Sequence, residues 1–184
     1  ADDPAKGTLT WAADGSFEFE AAEDYSGDVT YTYVTEDEHG QQATATLTIL
    51  VKPLAVDDYA STRYETPITI PLSELLSNDL GGTLTVVSAS TVMNGQLTVV
   101  GGDLVFTPDS NFTGTGSFRY TVSNGKGQSA TATVYIRVGP HAVADSADTD
   151  AETPIEVDAA DGVLSNDVGQ DIVVTGHDAV YPAQ

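Results

Sequence analysis

The chain has 184 residues, with 28 Asp and Glu against 6 Lys and Arg, no cysteine and a formal net charge of −22. Such a field repels a phosphate backbone and an anionic lipid surface, so nucleic acid and membrane insertion are excluded and cations are the natural partners. Without cysteine there are no disulfides, thiolate metal sites or thiol nucleophiles, and no run approaches the ~20 apolar residues of a membrane-spanning helix.

The length suits about two ordinary domains. Ala1-Asp2-Asp3-Pro4 has neither a basic nor an apolar leader, so any export signal is expected to have been removed or to lie outside these residues.

Along the chain, Gly40-Gln41-Gln42-Ala43-Thr44-Ala45-Thr46 returns as Gly127-Gln128-Ser129-Ala130-Thr131-Ala132-Thr133, 87 residues on. Glu65-Thr66-Pro67-Ile68 returns at the same spacing as Glu152-Thr153-Pro154-Ile155. Leu76-Ser77-Asn78-Asp79 returns as Leu164-Ser165-Asn166-Asp167, 88 residues on. Self-similarity at one period marks a repeat protein. Residues 53–139 hold a complete unit, 1–52 match only its second half, and 140–184 only its first half.

Within the complete unit, apolar and polar residues alternate as in half-buried strands. The predicted strands, lettered by position in the repeat, are A near Tyr59–Arg63, B near Ile68–Ile70, C near Leu84–Ser90 and D near Gln96–Val100. E follows near Leu104–Phe106, F near Ser117–Ser123 and G near Ser129–Val138. Asn94-Gly95, Gly101-Gly102-Asp103, Pro108-Asp109 and Asn124-Gly125-Lys126-Gly127 are the turns between them. Pro71 to Leu76 reads as one turn of helix between B and C. The fold class is all-β: immunoglobulin/cadherin-like β-sandwich repeats arranged end to end, without the Cys-Trp-Cys hallmark of antibody domains. On this map residues 1–52 supply strands D to G and residues 140–184 supply A to C, and neither half buries both faces of a sandwich by itself.

An ordered set of motifs runs through the unit: Ala55-Val56-Asp57-Asp58, Glu65-Thr66-Pro67-Ile68, Leu75-Leu76-Ser77-Asn78-Asp79, Gly82-Thr83-Leu84-Thr85-Val86, Gly95-Gln96-Leu97-Thr98, Phe106 through Gly114, Ser117 through Ser123, and Gly125-Lys126-Gly127. Together they resemble the tandem cadherin-like or bacterial Ig-like repeats of large secreted bacterial adhesins, of RTX-adhesin or VCBS type. The resemblance implies an exported rod of repeats at the cell surface or in a biofilm matrix, with calcium at the joints. The sequence departs from the family at Ser123-Asn124-Gly125-Lys126-Gly127, where an acidic turn is usual, whereas Glu36-Asp37-Glu38-His39-Gly40 keeps the acids.

Calcium takes about 6–8 oxygen ligands, which suits a chain whose ligand pool is almost all Asp and Glu. Stacking sandwiches end to end brings the AB and EF loops of one unit against the linker and BC loop of the next. For the first joint this collects Glu23, Asp24, Asp57, Asp58, Asn78 and Asp79. For the second it collects Glu65, Asp109, Asp145, Asn166 and Asp167, with Asp148 nearby. The same residues also fit solvated loops and capped turns.

No catalytic pattern stands out. His39, His141 and His177 fall in a turn, a linker and a late loop, without ligand spacing or a nucleophile partner. Trp11 falls at the strand D position near Val99, where a core role is expected ahead of glycan stacking. The chain is expected to be non-enzymatic and extracellular. Its expected partners are copies of itself joined head to tail by strand complementation, or adjacent repeats of a longer adhesin. A calcium-dependent polysaccharide-binding module is the alternative.

Overall fold

The computed structural model describes residues 3–176. Among the described residues, eleven strands alternate with turns: β1 (Gly7–Trp11), β2 (Phe17–Ala21), β3 (Gly27–Glu36), β4 (Gln42–Val51), β5 (Asp58–Thr62), β6 (Ile68–Ile70), β7 (Thr85–Met93), β8 (Gly95–Val100), β9 (Asp103–Pro108), β10 (Gly114–Ser123) and β11 (Ser129–Val138). One helical turn, α1 (Leu72–Leu75), lies between β6 and β7.

Strands β5 to β11 form a two-sheet sandwich. One sheet has the order β5-β11-β10-β7 and the other β6-β9-β8. All pairings are antiparallel except β5 with β11. The alternation seen in the sequence is obeyed: Phe118, Tyr120 and Val122 of β10 are buried while Arg119 between them is exposed. The core joins those three with Ile70, Leu75, Leu104, Phe106, Val134 and Ile136. Removing these side chains from water is the main force holding the two sheets together. Positions A to G of the repeat are therefore β5 to β11, and α1 supplies Leu75, which is 1% exposed, as a plug for one end of the core.

Residues 3–52 form two hairpins, β1-β2 and β3-β4, each a two-stranded sheet; they meet face to face through Trp11 with Tyr33 and Phe19 with Tyr31, and bury Leu9 and Val29 between them. Some strand positions that are buried in the complete unit are more open here. Phe17, one period before the buried Leu104, is 48% exposed, and Tyr33, one period before the buried Tyr120, is 37% exposed. Trp11 is 45% exposed and touches only other aromatic rings among its ring contacts, Phe17 at 5.6 Å and Tyr33 at 5.8 Å between centroids. It lacks the core role expected of it, because the strands that would cover it are absent from this hairpin pair.

Residues 140–176 contain no strand among the described residues; the expected A to C segments run as extended coil and turns. What does form is a single bridge between His141 and Val168, one period after the bridge between Leu54 and Leu80. Edge strands need a partner ladder, and this segment has none. His177 and the rest of the C-terminal residues lie outside the described residues.

The two flanking segments meet the sandwich at opposite poles. At one, Ser26 Oγ donates to Gly81 O at 2.6 Å, and Asn124 Nδ2 donates to Ser26 Oγ at 3.0 Å. There Gln128 Nε2 also donates to Asp28 Oδ1 at 2.9 Å. Lys126 Nζ sits 5.4 Å from the centre of the Tyr25 ring. At the other pole, Gly139 N donates to Thr62 O, and the Tyr64 and His141 rings stack at 4.6 Å with 5° between their planes.

Candidate functional site

An oxygen-rich corner forms where the chain enters β5. Asp57 and Asp58 lie at the end of the linker, Asn78 and Asp79 follow α1, and Tyr120 reaches in from β10. The buried Leu75 anchors the α1 loop, so core packing brings the Asn78-Asp79 pair against the linker, where its own hydrogen bonds take hold.

Asp79 Oδ1 accepts from Val56 N at 2.8 Å, which pins the linker. The Tyr120 hydroxyl lies 3.0 Å from Val56 O, 3.3 Å from Leu75 O, and 3.2 and 3.3 Å from the two Asp79 oxygens. A hydroxyl carries one proton, so these acceptors outnumber what it can donate. Asn78 Nδ2 donates to Asp58 Oδ1 at 3.2 Å and lies 3.4 Å from the carbonyl oxygens of Val56 and Asp57. Among the described residues, Asp58 Oδ2 and Asn78 Oδ1 are buried without a donor in hydrogen-bonding geometry, the Tyr120 hydroxyl being the nearest help to Asp58. Asp57 turns away and accepts from Thr133 N at 2.8 Å.

Electrostatics express the same surplus of oxygen. Burial raises the Asp58 carboxyl above its ordinary value, and the neighbouring Asp79 and Asp57 charges raise it further against the lowering effect of Tyr120 and Asn78. Burial also raises Asp79, opposed by the Val56 N–H and Tyr120. The Tyr120 phenol is pushed up strongly by burial and by the two carboxylates beside it.

The corner recurs one period later. Val143 N donates to Asp167 Oδ1 at 2.7 Å, and Asn166 Nδ2 donates to Asp145 Oδ1 at 2.9 Å. These match the Val56–Asp79 and Asn78–Asp58 bonds partner for partner. Among the described residues no tyrosine completes it.

The remaining expected ligands stand elsewhere. Asp24 lies beside Gly82 through its backbone oxygen, Glu23 is exposed, and Glu65 Oε1 accepts from Asn111 N at 3.2 Å. Asp109 holds its turn through the backbone, Phe112 N donating to its carbonyl. No hydrogen bond among the described residues ties Glu23 or Asp24 to the first corner, or Glu65 or Asp109 to the second. The EF loop of the first segment is occupied instead by its bonds to Gly81, Asn124 and Gln128. Among the described residues, no three carboxylate or imidazole groups converge on one point. A cation here would have to draw on amide and carbonyl oxygens as well, as calcium does. Tyr120 was missed in the sequence reading, although Tyr33 and Tyr120 stand 87 residues apart at equivalent places.

The model of the bacterial Ig domain matches residues 1–50 and 51–137. The chain belongs to the bacterial Ig domain family. Two consecutive matches make it a tandem-repeat member, in agreement with the repeat read from the sequence. No curated protein matches it. Among solved structures it is similar to the endo-fucoidan hydrolase MfFcnA9 from glycoside hydrolase family 107, at 17% identity and a TM-score of 0.28. That likeness covers 75% of this bacterial Ig chain and 27% of the hydrolase, so the chain spans little more than a quarter of that protein.

Proposed function

We propose that this bacterial Ig chain is a non-catalytic segment of an extracellular adhesion or biofilm rod, of the adhesin type its motifs resemble, stiffened by calcium at the corner of each repeat. Asp58, Asn78 and Asp79 would hold the ion in the complete unit, and Asp145, Asn166 and Asp167 in the next. The observation that carries this is the pair of buried oxygens without donors, Asp58 Oδ2 and Asn78 Oδ1, beside the Asp79 carboxylate. A hard cation supplies what no side chain there provides: positive charge against crowded, desolvated carboxylates. The consequence is mechanical. Val56 and Asp57 belong to the linker, Asp58 opens β5, and Asn78 and Asp79 follow α1, so an ion held by Asp58, Asn78 and Asp79 would fix the point at which the linker enters the repeat.

Extracellular calcium modules bind at ~10⁻⁴–10⁻³ M. Thermal unfolding in calcium should therefore show a midpoint that rises through the millimolar range, with magnesium having a smaller effect. At about 100 times the dissociation constant the stabilisation is ~2.7 kcal/mol. Asp79→Asn should remove most of that rise. A midpoint indifferent to calcium would sink the proposal.

A further inference from the structure

The outer face of the β5-β11-β10-β7 sheet carries a group of side chains that neither the core nor the corner uses. Tyr59 of β5 and Tyr135 of β11 are register partners, and their rings stack at 5.5 Å with 21° between planes. Tyr59 remains 79% exposed, because β5 is an edge strand and the sheet continues on one side of it only. Two residues beyond Tyr135, Arg137 stands on the same face of β11. Its register partners are Ser61 of β5 on one side and Thr115 of β10 on the other. All five residues line one shallow hollow.

Charge sets this face apart from the rest of the molecule. The chain has 28 acids, yet β7, β10 and β11 contain none, and the single acid of β5, Asp58, turns into the corner toward Asn78. Asp57 sits at the rim, its carboxylate engaged with Thr133 N. Two of the six basic residues, Arg119 and Arg137, are exposed on these strands. The ion pair found among the described residues, Lys6 with Asp3, involves neither of them. Arg119 lies four residues along β10 from Thr115, the partner of Arg137, so the two guanidiniums are set ~13 Å apart along the sheet.

We infer that this face binds an acidic polysaccharide, with Arg137 holding a sugar carboxylate and Tyr59 providing the flat surface on which the sugar ring rests. The two parallel N–H groups of a guanidinium match a planar carboxylate. The Ser61 and Thr115 hydroxyls beside it donate and accept, as sugar hydroxyls require. A tyrosine ring covers the apolar side of a sugar while its own hydroxyl stays in water. Arg119 provides a second anchor further along the chain of sugars. The net charge of −22 repels such a polymer at a distance, but in ~0.15 M salt that field is screened beyond ~8 Å, while contacts at the arginines persist. This site goes beyond the rod reading and needs no calcium: it places a ligand along the side of a repeat and not at its joints.

The test titrates oligogalacturonate, dextran sulfate and neutral dextran into the full 184-residue chain in chelator, followed by calorimetry and amide chemical shifts. Oligogalacturonate should bind and move the amides of Tyr59, Ser61, Thr115 and Arg137, while neutral dextran leaves them in place. Arg137→Ala should weaken binding about tenfold or more, the scale of one charge-assisted hydrogen-bonded pair. Arg137→Lys should recover only part of the loss, because an ammonium lacks the fork. Tyr59→Ala should weaken binding several-fold. Both side chains are exposed, so the melting temperature should not change and the fold is not in question. Absence of binding overturns the inference, as does equal binding of neutral dextran or undiminished binding by Arg137→Ala. Tighter binding of dextran sulfate than of oligogalacturonate would overturn the carboxylate assignment. Asp79→Asn should leave glycan binding intact, which separates this face from the ion proposal.

Discussion

Tyr120 is the residue on which the corner turns. Its ring is fully buried in the core while its hydroxyl faces Val56 O, Leu75 O and the Asp79 carboxylate. Tyr120→Phe keeps the ring and removes the donor, leaving desolvated acceptors in mutual repulsion. A loss of ~1–3 kcal/mol in urea unfolding is expected, and a larger calcium-dependent recovery than in the parent. A change within error would mean that water already serves those oxygens.

The corner carboxylates also fix a pH dependence. Asp58 and Asp79 both have folded values raised above 3.8, chiefly by burial. Between the unfolded value and the raised one the folded state holds more protons, so stability falls as pH rises through that window and is flat above it. Without calcium the protein should melt at a higher temperature just above pH 3.8 than at neutral pH, as far as these two groups determine it. Asp58→Asn, which cannot ionise, should flatten the slope. A melting profile that climbs through the same window in both proteins would contradict the assignment.

At the scale of elements, the turn between repeat positions A and B shows how far local sequence reaches. Glu65 has φ 50° and Glu152 has φ 61°. Thr62 Oγ1 donates to Thr66 O at 2.7 Å, and Thr149 Oγ1 donates to Thr153 O at 2.7 Å. The turn therefore closes in the last segment even where the strands on either side of it do not, because its bonds lie within five residues of chain. Strands differ: a ladder needs a partner distant in sequence, and residues 140–176 have none among the described residues.

The first joint is an element-scale contact of another kind. Gly82 has φ 82°, and a Cβ there would come within 2.6 Å of Asp24 O. Gly82→Ala should push the first segment off the BC loop without disturbing the sandwich core. Faster amide exchange at Ser26 and a broader small-angle scattering distance distribution are expected, with the main unfolding transition little changed. Unaltered exchange would show that the loop yields to the methyl group.

For the whole molecule, one repeat frame yields three different outcomes. The complete unit closes into a sandwich with Phe106, Phe118 and Ile136 at 0% exposure. The first segment pairs its hairpins but leaves an aromatic face open, and the last keeps only its turn and corner. The difference is not one of propensity, since equivalent residues stand at each position. It is the presence or absence of the opposite sheet, which strand pairing and burial require together.

How much was legible follows from this. The period of about 87 residues, the all-β class, the strands of the complete unit and the Asn78-Asp79 and Asn166-Asp167 pairs were all readable in the linear order of residues, because alternation and turn chemistry are local. The sandwich topology also grouped Asp58, Asn78 and Asp79, but the entry of Tyr120 and the absence of Glu23, Asp24, Glu65 and Asp109 from the corner were not readable. Asp58, Asn78, Asp79 and Tyr120 are brought together by long-range packing of Leu75 and β10, whereas Glu23 is exposed and Asp24, Glu65 and Asp109 make other contacts. The sequence by itself determined the repeat, its turns and its acidity. Only the tertiary structure decided which oxygens lose their water together and which core faces stay open, because burial depends on what lies across the sheet and not on what lies next along the chain.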